Sequence, residues 1–367
     1  MNSSPPYEKI FKYCLRCCLP ETVEDIKFDE RGICNGCNSA EQKMKINWEE
    51  RRLIFEKILN NHKINQIDKQ WDCILPISGG KDSFWQAHVL TKVYGMRPLA
   101  VTFSHNWYTE IGKKNLDLLL ETFDVDHIMF TPRRGSVNQI AKKSISTIGD
   151  SCWHCHAGIG AFPLQIAHKF NIKLIVYGES AAEDGCRKDY NSSILENMYD
   201  QDYFEKISAK KPSSDMATND LPLRNFDIYK TLSKKEFQDS KIEGLHLGDY
   251  FFWDEEQQVD FIKDVYGWKE DDVEGTYKRY KSVECKMTGV HDWAKYIKRG
   301  FGRATDHATR DVRSGIITRE QGFELIRKHD SSKPRALEYF MNQTGMSEQE
   351  ILNELKKHRS GNAKKLP

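Results

Sequence analysis

The chain has 367 residues, of which 30% are charged and 39% hydrophobic, and its formal net charge is +1. That length allows two or three domains, and the near-zero charge argues against nucleic acid or a membrane surface as a partner. Because the sequence lacks a membrane-length apolar run and an apolar signal core, we expect a cytoplasmic protein whose ten cysteines are not structural disulfides.

Four cysteines near the N-terminus form two Cys-x-x-Cys pairs, Cys14/Cys17 and Cys34/Cys37, with sixteen residues between the pairs. Each short turn places two thiolates on one edge of a tetrahedron, so the two pairs complete a four-thiolate zinc shell. Such a shell leaves no open coordination position, so its Zn²⁺ would be structural. We therefore predict a zinc-ribbon module over residues 1–45, with these four cysteines as the metal ligands.

An amphipathic helix over residues 41–64 is expected to link this module to the core. Beyond it, apolar runs alternate with helical patterns, which is typical of a parallel sheet covered by helices on both faces. We therefore predict an α/β domain with a doubly wound parallel sheet over residues 46–205. Its predicted strands are 72–77, 98–104, 126–130 and 173–178, and its predicted helices are 84–95, 109–123, 136–148 and 158–170.

The first predicted strand is followed by Ser-Gly-Gly-Lys-Asp-Ser, residues 78–83, and then by a helical segment. Two glycines allow the backbone to close around phosphate oxygens, while the helix start and Lys81 add positive charge. A Walker A loop would require glycine where Leu75 stands, so this loop is of another kind. It resembles the PP-loop of ATP pyrophosphatases, which cleave ATP to AMP and pyrophosphate. Gly178 and Glu179 follow the fourth predicted strand, so we expect both segments to line one crevice.

The C-terminal part of the chain is charged, aromatic and mostly helical in pattern. Residues 206–223 are polar and contain two prolines, so we interpret them as a mobile loop or a domain boundary. We predict a mainly helical region over residues 206–367 that binds the substrate or a partner. The last ten residues, 358–367, are expected to be disordered.

Over most of its length the chain resembles the bacterial N-acetyl sugar amidotransferases, PP-loop enzymes that convert an acetamido group of a surface-polysaccharide sugar into an acetamidino group. The similar segments are the four-cysteine head with FDERGIC, INWEER at 46–51, WDCILPISGGKDS at 71–83, TEIGKKNLDLL at 109–119, GDSCWHCHAGIGAFPLQIA at 149–167, IVYGES at 175–180, LGDYFFWD at 247–254 and KYIKRGFGRATDHATRDVRSGIITRE at 295–320. The family often continues its Gly-Glu with Asn-Pro and a Glu-Tyr-Gly-Gly run. This chain instead reads GESAAEDGC, so its sugar-facing part is expected to differ.

The resemblance implies a PP-loop (adenine nucleotide alpha hydrolase-like) fold and an ATP-dependent ligase reaction. The amide oxygen would attack the α-phosphorus of ATP, pyrophosphate would leave, ammonia would add to the O-adenylyl imidate, and AMP would depart. Lys81, Asp82 and Glu179 are the predicted catalytic residues, and Mg²⁺ near Asp82 and Glu179 would neutralise the pyrophosphate. Strand 98–104 would supply backbone contacts to adenine. The residues predicted to contact ATP are Pro76, Ser78, Gly79, Gly80, Lys81, Asp82, Ser83, Thr102, Phe103 and Gly178.

The segment IKRGFGRATDH, residues 297–307, is the predicted sugar site. Lys298, Arg303, Asp306 and His307 would bind the phosphates or carboxylate of a nucleotide-activated or nonulosonic-type acetamido sugar destined for O-antigen or another surface glycan. Composition alone favours a solvated charged loop, whereas the family resemblance favours the binding role.

The sequence lacks the pattern of a glutaminase, which would need a cysteine nucleophile on a tight glycine-containing turn and a downstream His-x-Glu. Ammonia is therefore expected from a separate glutaminase with an ammonia-channel protein, as the resemblance also implies. A homodimer is a further expectation for this chain.

Two other functions are compatible with parts of the sequence. Cys152 and Cys155 form another Cys-x-x-Cys pair, and PP-loop tRNA thiolases use such a pair with a third cysteine, here Cys186 or Cys285, to hold an iron–sulfur cluster. The lack of a strongly basic composition argues against tRNA as substrate. A second metal at this pair and its neighbouring histidines, or free thiols, are other interpretations. The second function is a nucleotide-sensing adaptor without turnover, which the loop motif disfavours.

Overall fold

The computed structural model describes residues 4–65, 68–180, 182–183, 186, 188–192 and 209–367. Its strands are β1 Cys73–Pro76, β2 Pro98–Phe103, β3 His127–Phe130, β4 Leu174–Tyr177 and β5 Glu243–His246. All five run parallel in one sheet, in the order β3-β2-β1-β4-β5. The first four coincide with the predicted strands to within one or two residues, and they confirm the predicted parallel α/β sheet.

Helices connect the strands and make up most of the C-terminal part. They are α1 Asn35–Lys43, α2 Trp48–Asn65, α3 Lys81–Ala87, α4 Glu110–Phe123, α5 Arg134–Ile148, α6 Trp153–Lys169, α7 Lys234–Ser240, α8 Glu255–Tyr266, α9 Thr288–Arg299, α10 Arg303–Arg313, α11 Arg319–His329, α12 Ala336–Thr344 and α13 Glu348–Lys357. A π-helical segment, His88–Val93, continues α3. No helix within the described ranges combines the length and apolarity that a membrane crossing requires.

The core has two layers because successive residues of a strand point to opposite faces of the sheet. Leu75 and Ala100 belong to a buried cluster with residues of α2, α3, α4 and α8 on one face. Ile74 and Val101 belong to a second cluster with residues of α5, α6 and the segment 213–229 on the other face. The central strands β1, β2 and β4 are therefore covered on both sides, which is why they are apolar throughout, whereas Met129 and Phe130 of the edge strand β3 are exposed.

The direction in which strands are added to the sheet reverses at β1. β2 and β3 extend the sheet on one side of β1, while β4 and β5 extend it on the other. In sheets of this kind a crevice opens at the carboxyl ends of the strands on either side of the reversal. Ser78–Ser83 follows β1 and Gly178 follows β4, so the topology brings the two predicted segments together.

The helix predicted over residues 41–64 is wrong in its extent, because the structure has two helices there. The second Cys-x-x-Cys turn itself starts α1, since the Cys34 thiol accepts the backbone N–H of Cys37. The chain then breaks, and Asn47 starts α2 by accepting the backbone N–H of Glu50 through its side chain at 3.2 Å. The Trp48 indole donates to the Lys43 carbonyl at 3.0 Å and fixes the angle between the helices.

The fifth strand is an addition to the predicted sheet. β5 pairs with β4 from Leu174↔Glu243 to Tyr177↔His246, although Glu-Gly-Leu-His has no apolar run. A short strand at the edge of a sheet needs little apolar surface, so the sequence gives a weak signal. Nearby, Met216 and Leu221 are buried in the cluster with residues of α5 and α6, so these two side chains anchor the described part of the predicted mobile loop. Residues 206–208 of that loop lie outside the described residues.

The prediction that residues 358–367 are disordered is wrong. Ala363 and Leu366 are buried in a cluster with Phe11 and residues of α10 and α11. The Arg359 guanidinium donates to the carbonyl oxygens of Leu366 at 2.6 Å and Pro367 at 2.9 Å. The burial of Ala363 and Leu366 and the hydrogen bonds from Arg359 therefore order a segment whose composition is mostly polar.

Candidate functional site

The four cysteines of the N-terminal module converge on one point. All four thiols are buried, and they lie within 4.8 Å of one another. The Sγ–Sγ distances are 3.9 Å for Cys14–Cys37 and 3.7 Å for Cys17–Cys34. A tetrahedral zinc ion with bonds of about 2.3 Å requires thiolates about 3.8 Å apart, so the spacing fits such an ion. The group could hold a metal such as zinc with no position left for a substrate.

Backbone and side-chain donors around these thiols favour their anionic form. The Cys14 thiol accepts the backbone N–H groups of Arg16 at 3.4 Å and Cys34 at 3.2 Å. The Arg313 guanidinium, on α10, lies 3.6 Å from the Cys34 sulfur. The Arg319 guanidinium donates to the carbonyls of Cys14 and Cys17 and thereby attaches the module to the C-terminal helices.

The glycine loop between β1 and α3 is held in a tight, defined conformation. Gly79 has a φ of +85°, and a Cβ there would lie 2.8 Å from the backbone nitrogen of Leu116 and 2.9 Å from the carbonyl oxygen of Gly112. Only glycine fits this position without displacing α4. The Ser78 amide donates to the Ser83 hydroxyl at 3.0 Å, which closes the loop on itself.

A cleft of about 440 Å³ opens at the carboxyl ends of β1 and β4, beside the glycine loop. Its walls come from both halves of the chain: the strand ends and α6 on one side, and residues 282–303 on the other. The structure therefore brings together many of the residues predicted for ATP or substrate. Those that line the cleft are Pro76, Ser78, Asp82, Ser83, Phe103, Gly178, Glu179 and Arg303.

Lys81 is not among the residues that line this cleft. Its side chain is 4% exposed, and its ammonium pairs with Asp82 and lies 3.7 Å from Glu255. Burial alone would lower the pKa of Lys81, but the two carboxylates raise it above its ordinary value. Glu255 also pairs with Lys281 at 2.6 Å and Arg310 at 3.0 Å. Lys81 thus joins the loop to a buried charge cluster of the C-terminal helices.

Three of the predicted sugar ligands also lie outside the cleft. The Lys298 ammonium donates to the Ile148 carbonyl at 3.3 Å, and Asp306 pairs with Lys295 at 2.5 Å. His307 is buried, and its Nδ1 lies 2.5 Å from the Thr276 hydroxyl. Among the ATP contacts, the Thr102 hydroxyl donates to the Ile77 carbonyl inside the sheet. Gly79 and Gly80 shape the loop, and their backbone is not part of the cleft wall.

Glu284 is a cleft residue that the sequence analysis did not find. Its Oε1 lies 3.3 Å from the Ser78 hydroxyl, and a Cβ on Gly80 would lie 3.2 Å from both of its carboxylate oxygens. Burial and the nearby Asp82 raise the pKa of Glu284, and within the described residues its Oε2 has no hydrogen-bond partner. No local motif marks Glu284, because it lies about two hundred residues beyond the loop that it contacts.

Sulfur and imidazole groups line the remaining wall. Cys152 and Cys155 come from the start of α6, Cys285 from the segment before α9, and His291 from α9 itself. His105 follows β2, and burial lowers its pKa to about 4, so its imidazole is neutral at pH 7. The sequence predicted Cys152 and Cys155 as a pair from their spacing and Cys285 as one of two possible partners, but it gave no signal for His105 and His291.

The fold and this cleft define an α/β protein in which a glycine loop at the end of β1 faces a wall built by the C-terminal region. Residues 274–364 match the family model described as the C-terminal domain of WbpG-like LPS biosynthesis proteins. The match covers about a quarter of the chain, and it supports a polysaccharide biosynthesis family and a role in making surface glycans. No curated protein matches the chain. The matched segment contains Glu284, Cys285, His291 and Arg303, so it forms one wall of the cleft.

Proposed function

We propose that the chain is an ATP-dependent amidotransferase that converts the acetamido group of a nucleotide-activated or nonulosonic-type sugar into an acetamidino group for surface glycans. The observation that carries the proposal is the shared cleft. The loop that resembles the PP-loop of ATP pyrophosphatases and the segment that matches an LPS biosynthesis domain line one cavity. A nucleotide at the loop and a sugar at the opposite wall would therefore lie next to each other.

The described residues fit ATP with a divalent cation. The glycine loop borders the cleft through Ser78 and Ser83, whose hydroxyl groups would bind phosphate oxygens. Asp82 and Glu284 place two carboxylates beside it, and Glu284 Oε2 has no hydrogen-bond partner within the described residues. Carboxylate oxygens are the ligands that Mg²⁺ prefers, so these two residues would hold it, with Glu179 at the edge of the cleft as a further candidate.

An amide is a poor electrophile, so the acetamido group must be activated by ATP before ammonia can add to it. Attack of the amide oxygen on the α-phosphorus of ATP forms a P–O bond and releases pyrophosphate. Ammonia then adds to the imidate carbon, AMP leaves with the former amide oxygen, and one proton is lost to give the amidine. The protein must align the two substrates and keep water from the imidate, and a cleft walled by the strand ends and residues 282–303 suits both tasks.

Arg303 is the residue best placed to bind an anionic group of the sugar. It starts α10 and lines the cleft, and its Nε donates to Asp292 at 2.9 Å. Asp292 holds the guanidinium in place and leaves its two terminal NH₂ groups for a phosphate or carboxylate. Ammonia would come from a separate glutaminase, as the resemblance implies.

The test is pyrophosphate release by the purified chain with ATP, Mg²⁺ and high ammonium chloride, across UDP- and CMP-linked acetamido sugars. The proposal requires release that depends on one sugar, with a product lighter by the difference between O and NH. Asp82→Asn should abolish release, whereas Asp117→Asn, at an exposed position of α4, should leave it unchanged. Release that is independent of every sugar, or equal loss in both variants, would contradict the proposal.

A tRNA thiolase is the second candidate, and one observation favours it. Cys152, Cys155 and Cys285 all line the cleft, so a third thiol is present in the same cavity as the Cys-x-x-Cys pair, and an iron–sulfur cluster would need such a thiol. A thiolase should purify brown, contain iron and bind tRNA with a steep dependence on salt. The same preparation used for the pyrophosphate assay distinguishes the two functions by its iron content and colour.

A further inference from the structure

Asp150, Cys152 and His291 form a compact group of unlike side chains at the wall of the cleft. Asp150 lies in the turn after α5, Cys152 immediately precedes α6, and His291 lies in the first turns of α9. Their candidate ligand atoms all lie within 4.8 Å of one another, and the Asp150 Oδ1–His291 Nδ1 distance is 2.8 Å. We propose that these three residues bind a zinc ion, at a site separate from the four-cysteine module.

The group is held in place before any metal arrives. The Cys152 backbone N–H donates to Asp150 Oδ1 at 3.0 Å, and the Ser144 hydroxyl donates to the Asp150 carbonyl. Asp150 is 6% exposed and Cys152 is 9% exposed, so little water competes for either group. Hydrogen bonds that orient ligands in this way are typical of metal sites.

The donor set and its charge both fit zinc. One carboxylate oxygen, one thiolate and one neutral imidazole combine the three ligand types that zinc accepts, whereas magnesium and calcium take oxygen ligands. Binding would displace the Cys152 thiol proton to solvent, and the resulting thiolate and the Asp150 carboxylate balance the two charges of the ion. Besides His291, the ionisable groups that act on the Asp150 carboxylate are His156 and Lys298, and both favour its ionised form.

The three ligands would leave one coordination position open. Cys152 and His291 line the cleft, while Asp150 lies behind them and is not part of the wall. Three protein ligands and a fourth position open to a cavity are the pattern of a catalytic zinc site. The open position would take a carbonyl oxygen, an amine or a small anion. That this ligand is the acetamido oxygen rests on the proposed function, whereas zinc binding itself does not.

The experiment measures metal in the full-length chain without ATP or sugar. After metal removal and reconstitution with zinc alone, wild type should hold two zinc ions per chain, one in the four-cysteine module and one here. His291→Gln and Cys152→Ser should each hold one, and Cys155→Ser, a neighbouring cleft thiol outside the proposed ligand set, should hold two. In the cobalt-substituted wild type, azide should change the visible spectrum by binding at the open position of the proposed site. The four-thiolate site is closed and would not bind azide, so the change would report on the second site alone.

His291 is half-buried on the surface of α9, so His291→Gln is the variant that decides the question if Cys152→Ser fails to fold. Saturation of wild type at one zinc per chain would overturn the proposal. So would equal metal loss in Cys155→Ser and Cys152→Ser, or iron and a brown colour in place of the second zinc. Two zinc ions without sugar-dependent pyrophosphate release would refute the proposed function and leave the zinc site standing.

Discussion

Gly79 gives the sharpest test of the loop geometry. At a φ of +85° an alanine is strained by about 1–2 kcal/mol, because its Cβ approaches the neighbouring carbonyl. The same Cβ would lie 2.8 Å from the Leu116 nitrogen and 2.9 Å from the Gly112 oxygen. Both are backbone atoms of α4 that no rotamer change can move, and overpacking of this kind costs about 1–3 kcal/mol. We therefore expect Gly79→Ala to lower the free energy of unfolding by about 2–5 kcal/mol.

The assay is urea unfolding monitored by circular dichroism. The free energies of unfolding of wild type and variant are compared with the same m value, which is the slope of that free energy against urea concentration. Gly135→Ala is the matched control, because a Cβ there meets no atom within 4 Å and the residue lies in α5. Replacing a helical glycine by alanine should raise stability by up to about 1 kcal/mol. A Gly79→Ala protein as stable as wild type would show that the loop is not held against α4 as described.

Three further predictions follow from the site. Cys14→Ser should lose the zinc of the N-terminal module and lower stability, whereas Cys18→Ser, at a thiol outside the shell, should retain it; metal analysis and thermal unfolding decide. Burial lowers the pKa of His105 from 6.5 to about 4, so the unfolded state binds more protons between these values and stability falls as pH drops through them. His105→Asn, which keeps an acceptor for the Trp107 amide, should reduce that dependence in urea titrations at pH 4.5 and 7; an unchanged dependence would contradict it. Glu284→Gln should reduce sugar-dependent pyrophosphate release at least tenfold and raise the Mg²⁺ concentration required, and unaltered Mg²⁺ dependence would remove Glu284 from the proposed ion site.

What the sequence could predict was local. The strand–glycine loop–helix unit and the four-cysteine module are each encoded within a short stretch, because their geometry depends on nearest neighbours along the chain. Ser78 and Asp82 were accordingly placed at the cleft that the structure contains. The approach of Lys81 to Glu255 was not predicted, because Glu255 lies far along the sequence. No local pattern can indicate an ion pair of that kind.

The same limit explains the sugar-site residues. Lys298, Arg303, Asp306 and His307 are close in sequence, but Lys298 lies in α9, the other three lie in α10, and each contacts a different partner. Of these four, Arg303 alone lines the cleft, and the other three make contacts elsewhere. A charged segment shows that polar contacts will form, whereas the partners are fixed by tertiary packing.

The docking of residues 282–286 explains why the loop and the C-terminal region form a single site. This segment lies against residues 104–112 through the Tyr108–Cys285 bridge, and the Lys286 amide donates to the Trp107 carbonyl at 2.8 Å. The Thr109 amide donates to the Glu284 carbonyl at 3.0 Å. A Cβ on Gly112 would lie 2.4 Å from the Glu284 Cα, so glycine is required for this approach.

Gly112 therefore holds the 282–286 segment against α4, although it is not among the residues that line the cleft. Gly112→Ala must push the 282–286 segment away from α4, and with it the Glu284 carboxylate beside Ser78 and Gly80. The glycine loop itself should keep most of its support, because Gly79 packs against α4 and its carbonyl accepts from the Trp268 indole at 3.1 Å. If the two halves act as one site, this variant should lose sugar-dependent turnover while ATP binding, measured by calorimetry, is weakened far less. Parallel loss of both would show that the segment serves only to support the loop.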